Sequence, residues 1–241
     1  DDYVALAEAA AGRVTAAVEN LRAQQEQRHI AATLQAALLP PALPTIPGVA
    51  LASRYWPAGA SEAGGDFYDV FPVAHNRWAV VIGDVCGKGP NSAAVTSIVR
   101  HTIRAAAHHG VEAVEVVDWV NQAVIAGNRN LFCTLIYATL DGPADDDPDG
   151  TWRFTVASGG HPFPVVARAD GTIGTVGQRG TLIGEFPSVR TRLDETRLGP
   201  GDTVVLYTDG VTDLPPPHGL DDDALHELVT TAAWGARDAD M

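Results

Sequence analysis

The segment RWAVVIGDV, residues 77–85, restricts the possible folds of this chain more than any other. Its apolar residues run almost without interruption, whereas a strand with one face in water alternates apolar and polar side chains. A short apolar run of this kind predicts a strand that is buried on both faces. The rest of the chain must therefore supply cover for both faces of the sheet that contains this strand.

The first long segment, residues 4–39, predicts a helix. It contains no proline, and apolar residues such as Leu6, Val14 and Val18 recur at helical or coiled-coil spacing. The helix is expected to end at PPALPTIPG, residues 40–48, because proline lacks the backbone donor that a helix needs. A long helix before a proline-rich break suits a connector between domains or the stalk of a dimer.

The remaining segments divide into helices and short strands. Helices are predicted over residues 90–109, 111–127 and 224–234. Further strands are predicted over VALASRYW, LFCTLIYATL, WRFTVAS, FPVVARA, VRTRLDETRL and DTVVLYTD. The strands come in runs with a helix pair between them, rather than alternating with helices. This order predicts the α+β class, with antiparallel strands and helices packed outside them.

The composition excludes several classes of function. With 46% hydrophobic and 19% charged residues, the chain is that of a soluble globular protein. Its net charge of −14 repels phosphate backbones and anionic lipids, so binding to nucleic acids or anionic membranes is not expected, whereas cations are favoured. Membrane insertion is not expected either, because no apolar run is long enough to cross a bilayer. The two cysteines lack the spacing of a metal site, and no signal peptide is recognisable. These features predict a cytoplasmic protein.

Three aspartates are the candidate site. Asp66, Asp84 and Asp209 are each close to glycine and lie at the edge of a predicted buried strand. Strand ends position side chains firmly, and glycine lets the backbone approach a ligand. Carboxylates that meet need compensating positive charge, and oxygen-only ligands favour Mg²⁺ or Mn²⁺ over Zn²⁺. The alternative for any one of them is an ordinary Asp–Gly turn, as at Asp149 and Asp170.

Other polar residues carry weaker signals. Lys88 is predicted to be a solvated turn residue, because its GKG lacks the spacing of a phosphate-binding loop. Cys86 lacks the C-x₅-R pattern of a phosphatase nucleophile and is predicted to be a small buried residue. His161 is predicted to lie in a turn, and Asp69 and Asp213 to be acids in turns or near the site rather than metal ligands.

Five motifs occur in order between residues 31 and 213. They are LQAALLPPALPTIPGVALASRYWPAGASEAGGDFYDVF, GDVCGKGPNSA, ASGGHPFP, TLIG and LYTDGVTD. Together they resemble the bacterial PPM-type serine/threonine phosphatases of the SpoIIE/RsbU kind, relatives of the type 2C protein phosphatases. The resemblance implies an α-β-β-α sandwich of two antiparallel sheets. It also implies that residues 1–28 end a GAF-like sensory domain and linker helix, and that 29–241 form the phosphatase domain without its final strand.

The same resemblance implies roles for individual residues. Asp84 would bridge two divalent cations, Mn²⁺ or Mg²⁺, and the carbonyl oxygen of Val85 would complete the shell of one of them. Asp209 would hold the other ion, and Asp66 would bind directly or through water. A water activated by the two ions would attack the phosphorus, so that no protein nucleophile is needed.

The end of the chain departs from the family pattern, which has paired acids before a final apolar strand. Here the sequence ends RDADM, so that the first acid of the pair falls on Ala239 and the second on Asp240, with Asp238 just before. The fourth metal ligand is therefore Asp240, Asp238 or none, and Asp240 is the one assigned.

The resemblance implies hydrolysis of phosphoserine or phosphothreonine on a partner protein. The implied partner is a phosphorylated STAS-domain anti-sigma factor antagonist, so that dephosphorylation would release a sigma factor in a stress response. A homodimer through the N-terminal helix is a further expectation. Two alternatives stay open: a pseudophosphatase that binds its partner without turnover, and a phosphohydrolase of small molecules.

Overall fold

The computed structural model describes residues 2–55, 64–127, 131–143, 150–212 and 219–238. Its helices are α1 (Asp2–Leu38), α2 (Pro90–His108), α3 (Ala113–Ala126) and α4 (Asp222–Asp238), and a short 3₁₀ helix spans Asp209–Val211. Its strands are β1 (Asp66–Ala74), β2 (Arg77–Val85), β3 (Cys133–Asp141), β4 (Trp152–Gly159), β5 (Val165–Ala167), β6 (Ile173–Thr175), β7 (Leu193–Leu198) and β8 (Thr203–Val205). The helix pair α2 and α3 interrupts the strands between β2 and β3, which confirms the α+β class.

The described strands form two antiparallel sheets. The larger sheet has the order β1-β2-β3-β4-β7, and the smaller has the order β6-β5-β8. Strand β2, which contains the apolar run, pairs with β1 on one side and β3 on the other. It is therefore an interior strand, as its composition predicts.

Apolar clusters stack these elements into four layers. One cluster joins α2 and α3 to the larger sheet, and a second lies between the two sheets. A third joins the smaller sheet to α4. The order of layers is helix pair, five-stranded sheet, three-stranded sheet and helix, which is the predicted α-β-β-α sandwich.

Strands of the larger sheet divide their side chains between two cores, because successive residues of a strand point to opposite faces. In β2, Ala79 and Val81 belong to the cluster beneath the helix pair, whereas Val80 and Ile82 pack toward the smaller sheet. Asp84 follows Ile82 by two residues, so its side chain also points toward the smaller sheet. Odd-numbered residues of β1 and β2 thus face the helices, and even-numbered residues face the other sheet.

Helix α2 is fixed to the helix-facing side of the sheet. It begins after Gly89, whose φ of 90° is open to glycine at little strain, and Pro90 fills the first turn, where its missing N–H is no loss. Val95, Val99 and Ile103, four residues apart, form a stripe buried in the cluster beneath the helices. This stripe holds α2 against β1 and β2.

Helix α1 runs without a break through the predicted boundary between residues 28 and 29. The side chains of residues 11–26 are exposed, and near the end of the helix Leu38 packs against Ala93 of α2. None of the helices in the described ranges is long and apolar enough to cross a membrane. The division into a linker and a phosphatase domain stays a prediction.

The strand predictions differ from the structure in three places. Residues 49–55 are not a strand, although Val49 and Leu51 pack onto the core between the sheets and Val49 forms a single bridge with Ile46. Strands β1 and β6 were not predicted. The reason for β1 is Asp69, which is buried at a position where the alternation would place an apolar residue.

Candidate metal centre

Asp66 and Asp84 lie opposite each other on neighbouring strands. They are paired in the antiparallel register of β1 and β2, Asp66 as the first residue of β1 and Asp84 as the second-last residue of β2. Both have even numbers, so both side chains are on the face toward the smaller sheet. The fold thus brings the first two predicted ligands together at one edge of the sandwich.

Gly65 lets the chain pass close to these acids. The N–H of Val85 donates a hydrogen bond to the Gly65 carbonyl oxygen over 3.2 Å. A Cβ on Gly65 would overlap the carbonyl oxygen of Val85 and come within 2.5 Å of Asp84 Oδ1. The space beside Gly65 is therefore bordered by a peptide oxygen and a carboxylate oxygen, and a side chain would fill it.

Asp209 reaches the same edge from the smaller sheet. It is the first residue of the short 3₁₀ helix that follows β8. The preceding residue, Thr208, donates a side-chain hydrogen bond to Asp66, and the charge of Asp209 acts on both Asp66 and Asp84. Asp209, from the segment after β8, is therefore near enough to act on the two acids of the larger sheet, and the role of the three as metal ligands stays a prediction.

The convergence of negative charge changes the titration of the site. Burial, followed by the charges of Asp66 and Asp209, raises the pKa of Asp84 to about 7. Burial also raises the pKa of Asp66, with a contribution from Asp209 that the Thr208 hydrogen bond opposes. The same two carboxylates add to the effect of burial in raising the pKa of Tyr55. Without a cation, the site resists full ionisation.

The donors fit a hard cation in their chemistry. Carboxylate and peptide oxygens are the ligands that Mg²⁺ and Mn²⁺ prefer, and the mutual repulsion of the acids is what a cation would relieve. Within the described ranges, however, no three His, Cys, Asp or Glu side chains are arranged so that they could hold a metal ion. Asp240 and Asp213 lie outside the described residues, and Asp238 is the last residue of α4.

Asp69 belongs to the other face of β1. It is 1% exposed and accepts hydrogen bonds from Arg104 Nε at 2.7 Å and Nη2 at 2.8 Å, and from Arg100 Nη2 at 3.0 Å. The Arg104 guanidinium also lies 4.5 Å from the ring centre of Phe71. Asp69 is thus a strand residue that ties β1 to α2, and it is not in a turn.

His161 is a residue whose importance the sequence did not reveal. It is 5% exposed, and its ring contacts Thr134 Oγ1 through Nδ1 at 2.7 Å and the Tyr207 carbonyl oxygen through Nε2 at 3.0 Å. Burial lowers the pKa of His161 to about 4, against the opposing effect of the Tyr207 hydrogen bond. The signal in the sequence is weak, because GGHP is equally typical of an exposed turn.

Lys88 is solvated as predicted, whereas Cys86 is less buried than predicted. Cys86 is partly buried, and its sulfur accepts a hydrogen bond from the Phe132 N–H at 3.4 Å. Cys133 is fully buried, which raises the pKa of its thiol. Lys88 is exposed between β2 and α2. Neither cysteine is in the electropositive setting that activates a thiolate.

A cavity opens next to the segment that contains Asp209. It has a volume of about 650 Å³, and residues that line it include His161, Phe163, Arg179, Tyr207, Thr212 and His226. Arg179 is exposed, and within the described part of the chain it has no ion pair. The cavity therefore places apolar rings and a cationic side chain next to Tyr207 and Thr212, which lie on either side of Asp209 in the chain.

Comparisons with known proteins agree with this architecture. The chain is 24% identical over 212 residues to Protein IcfG of Synechocystis, covering 76% of this chain and 32% of that protein. It is 26% identical over 193 residues to the phosphoserine phosphatase RsbU of Bacillus subtilis, covering 79% of this chain and 55% of RsbU. It thus spans about a third to about half of the length of these relatives.

Solved structures share the fold. The crystal structure of the RsbU and RsbW domains of Rv1364c from Mycobacterium tuberculosis matches with a TM-score of 0.57 and 28% identity, over 71% of this chain and 46% of that one. The family pattern of Stage II sporulation protein E (SpoIIE) matches residues 74–239, more than half of the chain. That stretch includes Asp84 and Asp209 and begins after Asp66. The sandwich, the converging acids and this match together show that the chain belongs to the SpoIIE family of PP2C-type phosphatase domains.

Proposed function

We propose that this chain is a divalent-cation-dependent protein serine/threonine phosphatase. The observation that carries the proposal is the convergence of Asp66, Asp84 and Asp209 from two sheets at one edge of a sandwich whose family is that of PP2C-type phosphatases. The naming of RsbU, a relative, as a phosphoserine phosphatase supports the choice of phosphoserine.

The residues that would hold two Mn²⁺ or Mg²⁺ ions are Asp66, Asp84, Asp209, the carbonyl oxygen of Val85 and, beyond the described residues, Asp240. When bound, the ions would supply the positive charge that neutralises the phosphoryl oxygens and would activate the attacking water. Asp84 and Asp66 would bind from the larger sheet and Asp209 from the smaller one. Gly65 would keep the space next to Asp84 open, since any side chain there would fill it.

Within the described residues, the chemistry does not depend on a protein nucleophile. The sulfur of Cys86 is already a hydrogen-bond acceptor, and the thiol of Cys133 is buried and resists ionisation. The task of the protein side chains is therefore to bind and orient charged groups, which is the dominant contribution in phosphoryl transfer.

The test is Mn²⁺-dependent hydrolysis of p-nitrophenyl phosphate and of a phosphoserine peptide. Wild type is compared with Asp84→Ala and with Asp170→Ala, which removes an aspartate from an exposed turn. We expect activity in wild type and Asp170→Ala and its loss in Asp84→Ala. Equal rates in wild type and Asp84→Ala would contradict the proposal.

A specific observation favours a second function, a pseudophosphatase that binds its partner without turnover. Among the described residues, no three His, Cys, Asp or Glu side chains are arranged so that they could hold a metal ion. The residue assigned as the fourth ligand, Asp240, lies outside the described residues. The same assay separates the two functions: wild type that binds a phosphoprotein but shows no Mn²⁺-dependent turnover is a binding module.

The proposed substrate is a phosphorylated STAS-type anti-sigma factor antagonist. The cavity beside Asp209 would accept residues that flank the phosphate, with Arg179 facing an acidic one. We expect Arg179→Glu to raise KM for the phosphoprotein about tenfold and to leave hydrolysis of p-nitrophenyl phosphate unchanged. Arg153→Glu, at the far end of β4, is the control. A panel of small phosphate esters tests the remaining alternative, a small-molecule phosphohydrolase.

The proposal also places the chain in the cytoplasm as a homodimer joined through α1. Val14, Val18 and Leu21 are exposed by 63%, 40% and 59% and recur at helical spacing on α1. Pairing of two copies would bury them. Sedimentation velocity of wild type and of Val18→Glu/Leu21→Glu tests the dimer, and a monomeric wild type would exclude it.

A further inference from the structure

His161 is buried at the junction between the two sheets and uses both of its ring nitrogens. It follows β4, the fourth strand of the larger sheet, in a segment that bridges β3 through Gly160 and Leu135. One nitrogen contacts the side chain of Thr134, and the other contacts the main chain of Tyr207. Both ring nitrogens of this buried side chain therefore have a partner, one on β3 and one in the segment after β8.

The partners of the ring define its tautomer. The carbonyl oxygen of Tyr207 can only accept, so Nε2 carries the hydrogen and donates it over 3.0 Å. Nδ1 of the neutral ring is then an acceptor, and the hydroxyl of Thr134 donates to it over 2.7 Å. Burial disfavours the charged form, in agreement with the lowered pKa of His161.

Both contacts lead to the candidate metal ligands. Thr134 pairs with Asp84 in the register of β2 and β3. On the other side, Tyr207 is followed by Thr208, which hydrogen-bonds Asp66, and by Asp209. The imidazole therefore spans from the strand beside Asp84 to the loop that contains Asp209.

We infer that His161 is a positioning residue that sets the distance between Asp84 on the larger sheet and Asp209 after the smaller one, and so determines cation affinity. The inference rests on the proposed function. It needs no contact of His161 with a cation or substrate, because the effect passes through the backbone of Tyr207–Asp209. Partners that orient metal ligands in this way typically contribute about 10–100-fold in affinity.

Two substitutions separate the two bonds. The amide of His161→Asn lies near the place of Nδ1 and keeps the contact with Thr134, but it does not reach Tyr207. The amide of His161→Gln lies near the place of Nε2 and keeps a donor for Tyr207. Both introduced side chains are neutral amides, so the two substitutions should affect folding stability similarly. The readouts are Mn²⁺ affinity by calorimetry, melting temperature without metal, and kcat at saturating Mn²⁺.

We expect His161→Asn to weaken Mn²⁺ binding about tenfold or more and His161→Gln to stay within about threefold of wild type. Activity of His161→Asn should recover largely at saturating Mn²⁺. Wild-type affinity in His161→Asn, or equal losses in both variants, would overturn the inference. Should His161→Asn not fold, His161→Met replaces it, because methionine has the length of glutamine but no donor for Tyr207. His161→Met should weaken Mn²⁺ binding about tenfold or more, and affinity equal to that of His161→Gln would overturn the inference as well.

Wild type and Asp84→Ala, measured in parallel, distinguish the two proposals. If wild type binds no Mn²⁺, the proposed function fails and the role of His161 fails with it. If wild type binds Mn²⁺ and loses it in Asp84→Ala, while His161→Asn binds normally, only the role of His161 is wrong.

Discussion

Asp66 and Asp69 are three residues apart on β1 and face opposite layers of the sandwich. Asp69 is enclosed by Arg100 and Arg104 of α2, which donate three hydrogen bonds to it. Asp66 faces Asp84 across the strand pair, and the charge of Asp209 acts on both of them from the segment after the smaller sheet. The same residue type is thus a structural ion pair on one face and part of a cluster of three acids on the other.

The difference between these two faces distinguishes a structural aspartate, which is paired with arginines, from a candidate metal ligand, which lies beside other acids. A buried carboxylate must be compensated, and where the protein does not supply the cation, the solution can. The acid on the face toward the helices is paired with two arginines, whereas the acids on the face toward the smaller sheet lie close to one another. Five predictions use this contrast, from the largest effect to the smallest, and the last two concern pH.

The largest effect is expected from Asp84→Asn. We predict a loss of Mn²⁺-dependent turnover of at least about a thousandfold, because the variant removes a ligand of the charge-stabilising ions. Circular dichroism should show an intact fold, and the melting temperature without metal should not fall. A variant with normal turnover would mean that the contrast between the two faces has no catalytic meaning.

Asp69→Asn should affect stability instead. Removing one partner of a buried ion pair leaves the arginines uncompensated, and we predict a loss of about 3 kcal/mol, at the low end of the usual range because Arg104 is partly exposed. Urea unfolding without metal measures it, with Asp66→Asn as the matched control on the same strand. If both variants lost stability equally, the two faces would not differ as described.

Gly65→Ala tests the space beside Asp84. The added methyl group would overlap the Val85 carbonyl oxygen, so the strand ends must separate. We predict a loss of Mn²⁺ affinity of roughly 10–100-fold by calorimetry. Gly12→Ala on α1, where nothing lies within 4 Å of the new methyl group, should bind Mn²⁺ as wild type does. Unchanged affinity in Gly65→Ala would remove Gly65 from the site.

The smallest effect is the dependence on pH. The pKa of Asp84 is raised to about 7 in the folded protein, so protons compete with cations below that pH. We predict that Mn²⁺ affinity rises about tenfold between pH 6 and pH 8. Asp84→Asn would lack this dependence, and a flat profile in wild type would contradict the assignment.

The raised pKa of Asp84 also makes the folding stability of the metal-free protein depend on pH. A carboxyl group whose pKa is raised on folding stabilises the protein below its unfolded pKa, and that stability is lost as the pH rises toward 7. The metal-free protein should therefore lose roughly 1–2 kcal/mol from this group on going from acid to pH 8, after allowance for solvent screening of a partly exposed side chain. Urea unfolding of wild type against Asp84→Asn measures the difference.

Much of the fold could be predicted because it depends on local pattern. The apolar run of β2 and the apolar stripes of α2 and α3 each predict the type of secondary structure and the face that is buried. Strand β1 was harder to predict, because a charged residue, Asp69, occupies one of its buried positions. The arginines that neutralise the charge of Asp69 lie about 30 residues later in the chain. A pattern within one segment cannot reveal such a partner.

The sequence alone determined the α+β class, the family and the three candidate acids, because these depend on residue types and their spacing along the chain. Tertiary structure alone decided which acids meet. Register places Asp66 opposite Asp84 and sends Asp69 to the other face, and the packing of two sheets brings the Asp209 segment and His161 to the same edge. The physical reason is that charge and hydrogen bonding act through space over a few ångströms, between residues that the chain separates by as many as 143 positions, as from Asp66 to Asp209.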